Sequence, residues 1–412
     1  RGLGDVYKRQ SVGSFVNIRP KVLHIITSLA VGGAQRHLLS LLPGLSKSVD
    51  IDVVYFRDHD LRSEVARVAD RVLYLPMAGP TGLVHLPRLI TLIRQSGYSI
   101  VHTHLLWADV YGALASQAAG VSAVVSSKHN IEARLASMPS RALYRLTTRS
   151  TRKTIAISEA VANWVVHRLG ASKEDVRIIR YGLDPTPFNG ASEVKSRGQL
   201  GIATDVPILL CPARLDPQKR HDVLLRAFAI VLQDFPQAVL LCAGDTQLGG
   251  ASYRSNLQRT AVELGVDHAV RWLGVRDDIP ELMAASDLVV LASDWEGLGL
   301  VLMEAAMACR PVVATAVGGV PEVVVANTTG VLVRQGDDLQ MGKEIGALLS
   351  DSVHRTRMGA SAGEYARSNF DLGVMHDATE AVYKELLRDC LLYTSDAADD
   401  TPCVDLGGRR II

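Results

Sequence analysis

Residues 289–304 read VVLASDWEGLGLVLME: a β-branched apolar run, a glycine turn, then an apolar helical stretch. The pattern predicts a buried strand that runs through a loop into a helix, with the helix's first amides presented beside Glu296. Glu296 and Glu304 are separated by seven residues that begin Gly-Leu-Gly-Leu. Such a loop suits a ligand rich in hydroxyls and carrying negative charge.

The same strand-then-helix plan extends outward from this segment in both directions. In the second half, strands are expected at 207–211, 238–243, 269–273, 287–292, 311–315 and 331–333, and helices at 221–233, 252–264, 279–285, 299–308 and 338–349. Before it lies a polar linker, Asn189–Gly201, and before that the plan occurs once already. Val22–Ser28 (VLHIITS) reads as a buried strand ending in Ala30-Val31-Gly32-Gly33-Ala34, a glycine turn that opens an amphipathic helix from Gln35 to about Leu45. Further strands are expected at 51–56, 72–75, 100–104, 122–127 and 154–157. Continuous apolar strands joined by helices imply α/β architecture with parallel, doubly wound sheets. Ligands of such sheets bind outside the carboxyl ends of the strands, so two in tandem suggest a cleft between facing crevices.

Composition bounds the partners. The 412 residues exceed one ordinary core, which fits two domains of roughly 150–200 residues. Lys plus Arg (44) nearly balances Asp plus Glu (43), so no global field draws nucleic acid or an anionic membrane. The five cysteines, at 211, 242, 309, 390 and 403, have neither paired nor CxxC spacing, which suggests no disulfide framework or zinc site and fits a reducing cytoplasm. No apolar run approaches the ~18–20 residues of a membrane span, and the start lacks a signal-peptide plan. The terminal peptides RGLGDVYKRQ (1–10) and CLLYTSDAADDTPCVDLGGRRII (390–412) are unpatterned. Both resemble translated sequencing-adapter read-through and are expected to be foreign to the fold.

The strand ends of the second half carry the chemistry. Pro212-Ala213-Arg214-Leu215-Asp216-Pro217-Gln218-Lys219-Arg220 offers two cations, Arg214 and Lys219, just before a helix, an arrangement suited to a diphosphate. Gly244-Asp245 and Gly274-Val275-Arg276 end the next two strands, where glycine lets backbone approach a flat ring such as a nucleobase. No GxGxxG follows a strand, which argues against a dinucleotide dehydrogenase.

At this point the chain resembles a known family. The segments LAVGGAQRHL, IVHTHLLWAD, VVSSKHN, IAISEAVANWV, RIIRYGLD, ARLDPQKRHDVLLRAF, LLCAGD, WLGVRDDIPELMAASDLVVLASDWEGLGLVLMEA, PVVATAVGGVPEVV and TGVLV, between about Val22 and Tyr383, are similar to the retaining glycosyltransferases of family 4. The resemblance implies the GT-B fold, two Rossmann-like domains around a nucleotide-sugar cleft. The expected division is an acceptor-binding domain at 11–190, a nucleotide-sugar-binding domain at 191–372, and a helix at 373–389 crossing back onto the first.

It also implies roles. Arg214 and Lys219 would hold the donor diphosphate, Glu304 the ribose hydroxyls, and Glu296 the transferred sugar. Amides of Gly297, Leu298, Gly299 and Leu300 would contact sugar and phosphate, and Gly244, Gly274 and Val275 would lie on the base side. Gly32 and Gly33 would close over the donor, and His129 matches the family's histidine beside the reacting sugar. His104 is assigned to the acceptor side. His102 and His104 alternate on one strand, but with no third ligand of evident spacing they make a weak metal site. No acidic pair occupies a convincing metal-ligand position, and no cofactor is expected.

Catalysis would then rest on stabilising the departing diphosphate, the acceptor attacking the face that it leaves. Glu296 is the alternative, a carboxylate nucleophile, though its loop position suits hydroxyl recognition better. The expected enzyme is a metal-independent hexosyltransferase with a UDP- or GDP-linked donor and a glycan or lipid-linked acceptor, acting in cell-surface polysaccharide synthesis. The alternatives are a GT-B sugar-nucleotide epimerase or hydrolase, or a nucleotide-sugar-binding protein without catalysis.

Two positions depart from the family pattern: Tyr181 stands where Asn is common, and Cys309 where glycine is common, in a turn less open to positive φ with a side chain. Arg134, Arg141, Arg145, Arg149, Arg152 and Lys153 flank apolar residues. They form either a solvated helix face or a stripe that contacts an anionic bilayer. An amphipathic tail helix is expected at about Met375–Leu387.

Overall fold

The computed structural model describes residues 19–59, 61–131, 142, 144–145, 147–148, 150–246 and 250–399. The first sheet contains β1 (Lys21–Ile26), β2 (Asp50–Tyr55), β3 (Arg71–Tyr74), β4 (Ile100–His104), β5 (Val124–Lys128), β6 (Lys153–Ala156) and β7 (Val176–Ile178), in the order β3-β2-β1-β4-β5-β6-β7. The second contains β8 (Ile208–Pro212), β9 (Val239–Ala243), β10 (Val270–Gly274), β11 (Leu288–Leu291), β12 (Val312–Thr315) and β13 (Gly330–Val333), in the order β10-β9-β8-β11-β12-β13. Their neighbouring strands pair in parallel. In both sheets the strand order reverses beside the first strand, β1/β4 and β8/β11, which opens a crevice at the carboxyl ends.

Alternation along β1 and β4 divides the first core. Val22, Ile26 and Ile100 pack on one face against Leu38, Leu41 and Leu42 of helix α1 (Gly33–Leu45). Leu23, Ile25 and Val101 pack on the other against Leu89, Ile93 and Ala115. The helix Leu372–Asp399 returns to the first face, burying Met375, Val382, Tyr383 and Leu386 there. It meets α1 directly: His376 Nε2 donates to the Ser40 carbonyl at 2.7 Å, and a side chain on Gly44 would overlap the His376 ring. Glu385 adds ion pairs to Lys153 at 3.1 Å and Arg177 at 2.9 Å. The helix extends past 390 to Asp399, and residues 1–10 and 400–412 lie outside the described residues.

One charged cluster is buried in this half. Asp109 Oδ1 accepts hydrogen bonds from Thr103 (2.5 Å) and Ser126 (2.6 Å), and Oδ2 accepts them from Lys128 Nζ (2.8 Å) and Tyr144 (2.7 Å). Asp109 and Lys128 are only 1% and 3% exposed, so they form a desolvated ion pair.

Three elements differ from the sequence pattern. The expected linker contains a helix, Glu193–Leu200, capped by Ser192 and ended by Gly201 in the left-handed region. Its polar residues are used inward, because Arg197 is 2% exposed and pairs with Asp287 at 2.9 Å. The strand β7 has only three residues, too short for a periodic signal. The helix Ser352–Asn369 buries Met358, Gly359, Ala362, Gly363 and Ala366, a stripe of mostly small residues that hydrophobicity does not reveal.

That stripe receives Cys309, which does take positive φ (54°), contrary to the expectation for a residue with a side chain. A Cβ on Gly359 would stand 2.2 Å from the Cys309 carbonyl oxygen, so the close approach of the helix fixes the turn. Cys309→Gly is expected to raise stability by roughly 0.5–1 kcal/mol, because relief of left-handed strain outweighs the added backbone entropy of the unfolded chain. Chemical denaturation checks it, and a fall would show that Sγ packing outweighs the strain.

Candidate active site

The loops after β8, β9, β10, β11 and β12 converge at one end of the second sheet. After β8, Asp216 caps a short turn by accepting from the Gln218 amide at 2.9 Å, and the turn ends at Lys219. Lys219 Nζ lies 2.5 Å from Glu296 Oε1, and Ser293 Oγ donates to the same oxygen at 2.6 Å. The basic loop and the loop after β11 are therefore one unit. Further bonds brace them: Gln218 Nε2 to the Trp295 carbonyl at 2.7 Å, and Arg220 to Asp294 at 3.0 Å. Arg214 is exposed on the same loop.

Glu296 is 7% exposed, and Gly297, Leu298 and Gly299 are buried behind it. Gly299 takes φ 91° as the N-cap of the helix Leu300–Met307, where no side chain satisfies the first amides. A second glycine pair shapes this loop from below. A Cβ on Gly318 would fall 1.9 Å from the Glu296 carbonyl oxygen, and one on Gly319 2.3 Å from that of Gly297. Only glycine permits that approach.

Glu304 lies one turn into the helix. Burial pushes its carboxyl up to about 7, opposed by the positive charge of Arg36 on α1 of the first half. The α1 N-cap is Gly32, with no side-chain cap and no acid in the first turn, and a Cβ on Gly33 would meet nothing within 4 Å. Two helix N-termini and two basic side chains thus surround the crevice, an arrangement that favours anions.

On the remaining side, Gly244 (φ 150°) is pressed against the Ala213 carbonyl, where a Cβ would stand at 2.2 Å. Its amide donates to the Gly274 carbonyl at 2.7 Å. Gly274 (φ 67°) has open space, and Val275 is 66% exposed beside it.

His129 follows β5 at the boundary between the halves. Its carbonyl oxygen lies 2.3 Å from where a Gly297 Cβ would be, so the backbones touch. Its ring turns inward: Nδ1 is 2.8 Å from the Tyr181 hydroxyl and Nε2 3.1 Å from His104 Nδ1. Tyr181 also stacks on His37, with ring centroids 4.5 Å apart, which fills the place where Asn was the family expectation. Burial and the Lys128 charge hold the His129 ring down to about 3. Nearby, Ser158 Oγ donates to the Gly297 carbonyl at 2.7 Å. Glu322 accepts from the amides of Glu159 (3.0 Å) and Ala160 (3.1 Å) and from Arg180 (2.9 Å). These bonds tie the halves beside the crevice.

His102 and His104 do have a third histidine, supplied by β1: ligand atoms of His24, His102 and His104 all lie within 4.8 Å of one another. Parallel pairing of β1 with β4 sets His24 opposite His102. The nitrogens bond to one another and to Tyr383 and Ser127. The basic stripe loses Lys153 to its ion pairs with Asp175 and Glu385. Arg134, Arg141 and Arg149 lie outside the described residues, and Arg145 and Arg152 are exposed.

Residues 31–186 match the family model "Glycosyltransferase Family 4", and residues 192–365 match "Glycosyl transferases group 1". The chain belongs to glycosyltransferase family 4. This glycosyltransferase is 28% identical to the D-inositol 3-phosphate glycosyltransferase of Corynebacterium efficiens, across 86% of this chain and 90% of that one. It is 31% identical to the N-acetyl-alpha-D-glucosaminyl L-malate synthase of Bacillus anthracis, across 57% and 60%. HepE of Anabaena, solved with UDP-glucose, superposes with a TM-score of 0.79 at 26% identity, covering 88% of this chain and 99% of that one. The glycosyltransferase thus has the two-domain GT-B fold that the resemblance implied. Among its described residues no helix is long and apolar enough to cross a membrane.

Several residues that shape this transferase's crevice carried no individual signal. Gly318 and Gly319 are a visible pair in PVVATAVGGVPEVV, but the residues they touch, Glu296 and Gly297, are 22 positions away. Arg36, Arg220, Asp294 and Glu322 are ordinary charged residues until the fold gives them partners.

Proposed function

We propose that this glycosyltransferase is a retaining enzyme that moves a hexosyl unit from a UDP-linked donor to a hydroxyl of a phosphorylated polyol, glycan or lipid-linked acceptor. The observation that carries the proposal is the bonding of Lys219, on the loop that also carries Arg214, to Glu296, beside the uncapped N-terminus of the helix Leu300–Met307 that carries Glu304. HepE, solved with UDP-glucose, supports the donor base, and the inositol-phosphate and malate relatives support a small hydroxyl acceptor.

In this reading Arg214, Lys219 and the amides of Gly297 to Leu300 bind the diphosphate, with the Gly32–Gly33 turn closing over it. Gly244, Gly274 and Val275 flank the base, Glu304 accepts from the ribose hydroxyls, and Glu296 accepts from the transferred sugar. The bond between anomeric carbon and diphosphate oxygen breaks as positive charge develops on the sugar. Fixed cations and amides stabilise the charge left on the diphosphate. The acceptor hydroxyl attacks the same face, its proton passing to the departing phosphate oxygen, so the anomeric configuration is kept. His129 borders the acceptor side, and His104, fully buried and bonded to His129 and His24, lies behind it rather than lining that side as expected. Because Lys219 and Arg214 supply the positive charge, transfer is expected to survive chelation of divalent ions.

A thermal-shift screen of UDP-, GDP- and ADP-sugars tests the site, since a ligand of the native cleft raises the melting point. UDP-sugars should give the largest rise, and Glu304→Ala should abolish it. Equal shifts for wild type and variant would show that the site is elsewhere. NMR of the product's anomeric proton tests retention.

Glu304 adds a pH dependence. Its carboxyl, raised from 4.5 to about 7, holds a proton that ribose hydroxyls displace when the ionised form accepts from both. Affinity for UDP-glucose is therefore expected to fall by up to about tenfold per pH unit below pH 7. Calorimetry between pH 6 and 8 in buffers of different ionisation heat should show proton release, and Glu304→Gln should lose it. In the free protein the sign is opposite: the raised carboxyl favours the folded state below about 4.5, and that contribution is lost as pH rises through 7.

A further inference from the structure

A continuous hydrogen-bonded line runs beneath the crevice from the interdomain segment to the crossing helix and back to β5. It passes from Tyr181 to His129 (2.8 Å), His104 (3.1 Å), His24 (3.0 Å), Tyr383 (3.3 Å), His102 (2.6 Å) and Ser127 (2.7 Å). The rings of His24 and His104 lie 11° from parallel and those of His104 and His129 25°, with centroids 5.3 Å apart in each pair, so neighbouring rings meet nearly edge to edge. Burial keeps the four imidazoles neutral, His24 and His129 down to about 3 and His102 and His104 well below their ordinary value.

A neutral imidazole has one N–H and one bare nitrogen, so the bond at one edge dictates the bond at the other. The line therefore has only two self-consistent directions. Tyr383 decides between them, because its single phenolic proton serves either His102 Nδ1 at 2.6 Å or His24 Nε2 at 3.3 Å. An O–H donor makes the shorter bond and an N–H donor the longer one, so the phenol donates to His102 and accepts from His24. The choice propagates: His102 donates from Nε2 to Ser127, His104 from Nε2 to His24, and His129 from Nε2 to His104. The Tyr181 hydroxyl donates to His129 Nδ1. All four rings are then Nε2–H tautomers.

We propose that this line is a tautomer lock in which His24, His104 and Tyr383 are positioning residues for His129. It fixes the His129 ring in one tautomer and one orientation, which seats its main-chain carbonyl against Gly297 of the loop that follows β11. Tyr383 comes from the helix Leu372–Asp399, so docking of that helix is coupled to the geometry of the crevice. The effect on transfer rests on the proposed function, whereas the tautomer pattern does not.

The test uses the full-length protein labelled with 15N and long-range proton–nitrogen spectra of its imidazoles. Wild type should show His24, His102, His104 and His129 as Nε2–H. Tyr383→Phe removes the group that selects the direction, and an Nδ1–H signal should appear at His129, beyond the two intervening rings of His24 and His104. In the same variant kcat for transfer from UDP-glucose should fall about 5–20-fold while KM for the donor stays within about twofold, because orientation rather than binding is lost. A folded protein with merely weakened packing would not change the His129 tautomer. Nδ1–H at His129 in wild type, unchanged tautomers in Tyr383→Phe, or an altered tautomer with unchanged kcat each overturns the lock. Should Tyr383→Phe not fold, Ser127→Ala perturbs the other end and is read by the same spectra and kinetics. A wild type that neither binds nor uses any nucleotide sugar defeats the proposed function alone, and the tautomer pattern still decides the lock.

Discussion

Lys219→Ala is expected to lower kcat/KM for sugar transfer by about 100- to 1,000-fold, the usual effect of removing one donor from a site of developing charge. Lys219 Nζ lies 2.5 Å from Glu296 Oε1 at the end of a turn tied to the next loop by Gln218 and Arg220. A cation held this firmly need not reorganise as the diphosphate departs. The loss should fall mostly on kcat, since the departing oxygen gains its charge only in the transition state. The substitution also leaves Glu296, 7% exposed, without its lysine. The control is the double variant Lys219→Met with Glu296→Gln, which removes both charges and should restore stability but not rate. Steady-state kinetics with UDP-glucose and a melting curve separate the two effects. A loss of less than about threefold in the single variant would place the diphosphate elsewhere.

Asp109→Ala is expected to destabilise the first half by about 3–5 kcal/mol, because it removes one partner of a buried ion pair while the Lys128 ammonium stays desolvated. The carboxylate accepts four hydrogen bonds, from Thr103, Ser126, Lys128 and Tyr144, which join β4, β5 and the segment around residue 144. Removing it takes an acceptor from all four donors, although Thr103 keeps the Val125 carbonyl at 3.3 Å and Lys128 the Tyr144 hydroxyl at 2.8 Å. Asp109→Leu with Lys128→Met should recover much of the loss, since well-packed apolar residues often replace a buried ion pair at little cost. Differential scanning calorimetry of single and double variants checks this. Equal instability in both would mean that shape, not charge, is decisive.

The strands and the Glu296–Glu304 segment were legible because buried parallel strands are apolar without interruption and glycine turns mark their ends. VVL at 289–291 and VVAT at 312–315 could hardly be anything else. The helix Ser352–Asn369 was not, because Gly359, Ala362 and Gly363 pack by closeness rather than by hydrophobic area. The helix at Glu193–Leu200 was hidden by a buried arginine whose partner, Asp287, lies 90 positions away. Lys219 and Glu296 were each visible as charges, but that they bond to one another depends on two loops meeting in space. The histidines show the limit most plainly: VLHII and IVHTH read as strands with stray polar residues until register sets His24 beside His102.

The helix Leu372–Asp399 completes a core begun by β1, so the first half is made of two stretches with the whole second sheet between them. Some 205 residues separate Ile178, the end of β7, from Tyr383. On the ribosome, at about 5–20 residues per second, the first half would stand with one face bare for about 10–40 s. The second half is continuous and closes its own sheet before the helix emerges. Although made after the first half's strands, it is positioned to mature before them, and the nascent chain carries an apolar face on β1 and α1 that a chaperone can hold until the helix Leu372–Asp399 emerges.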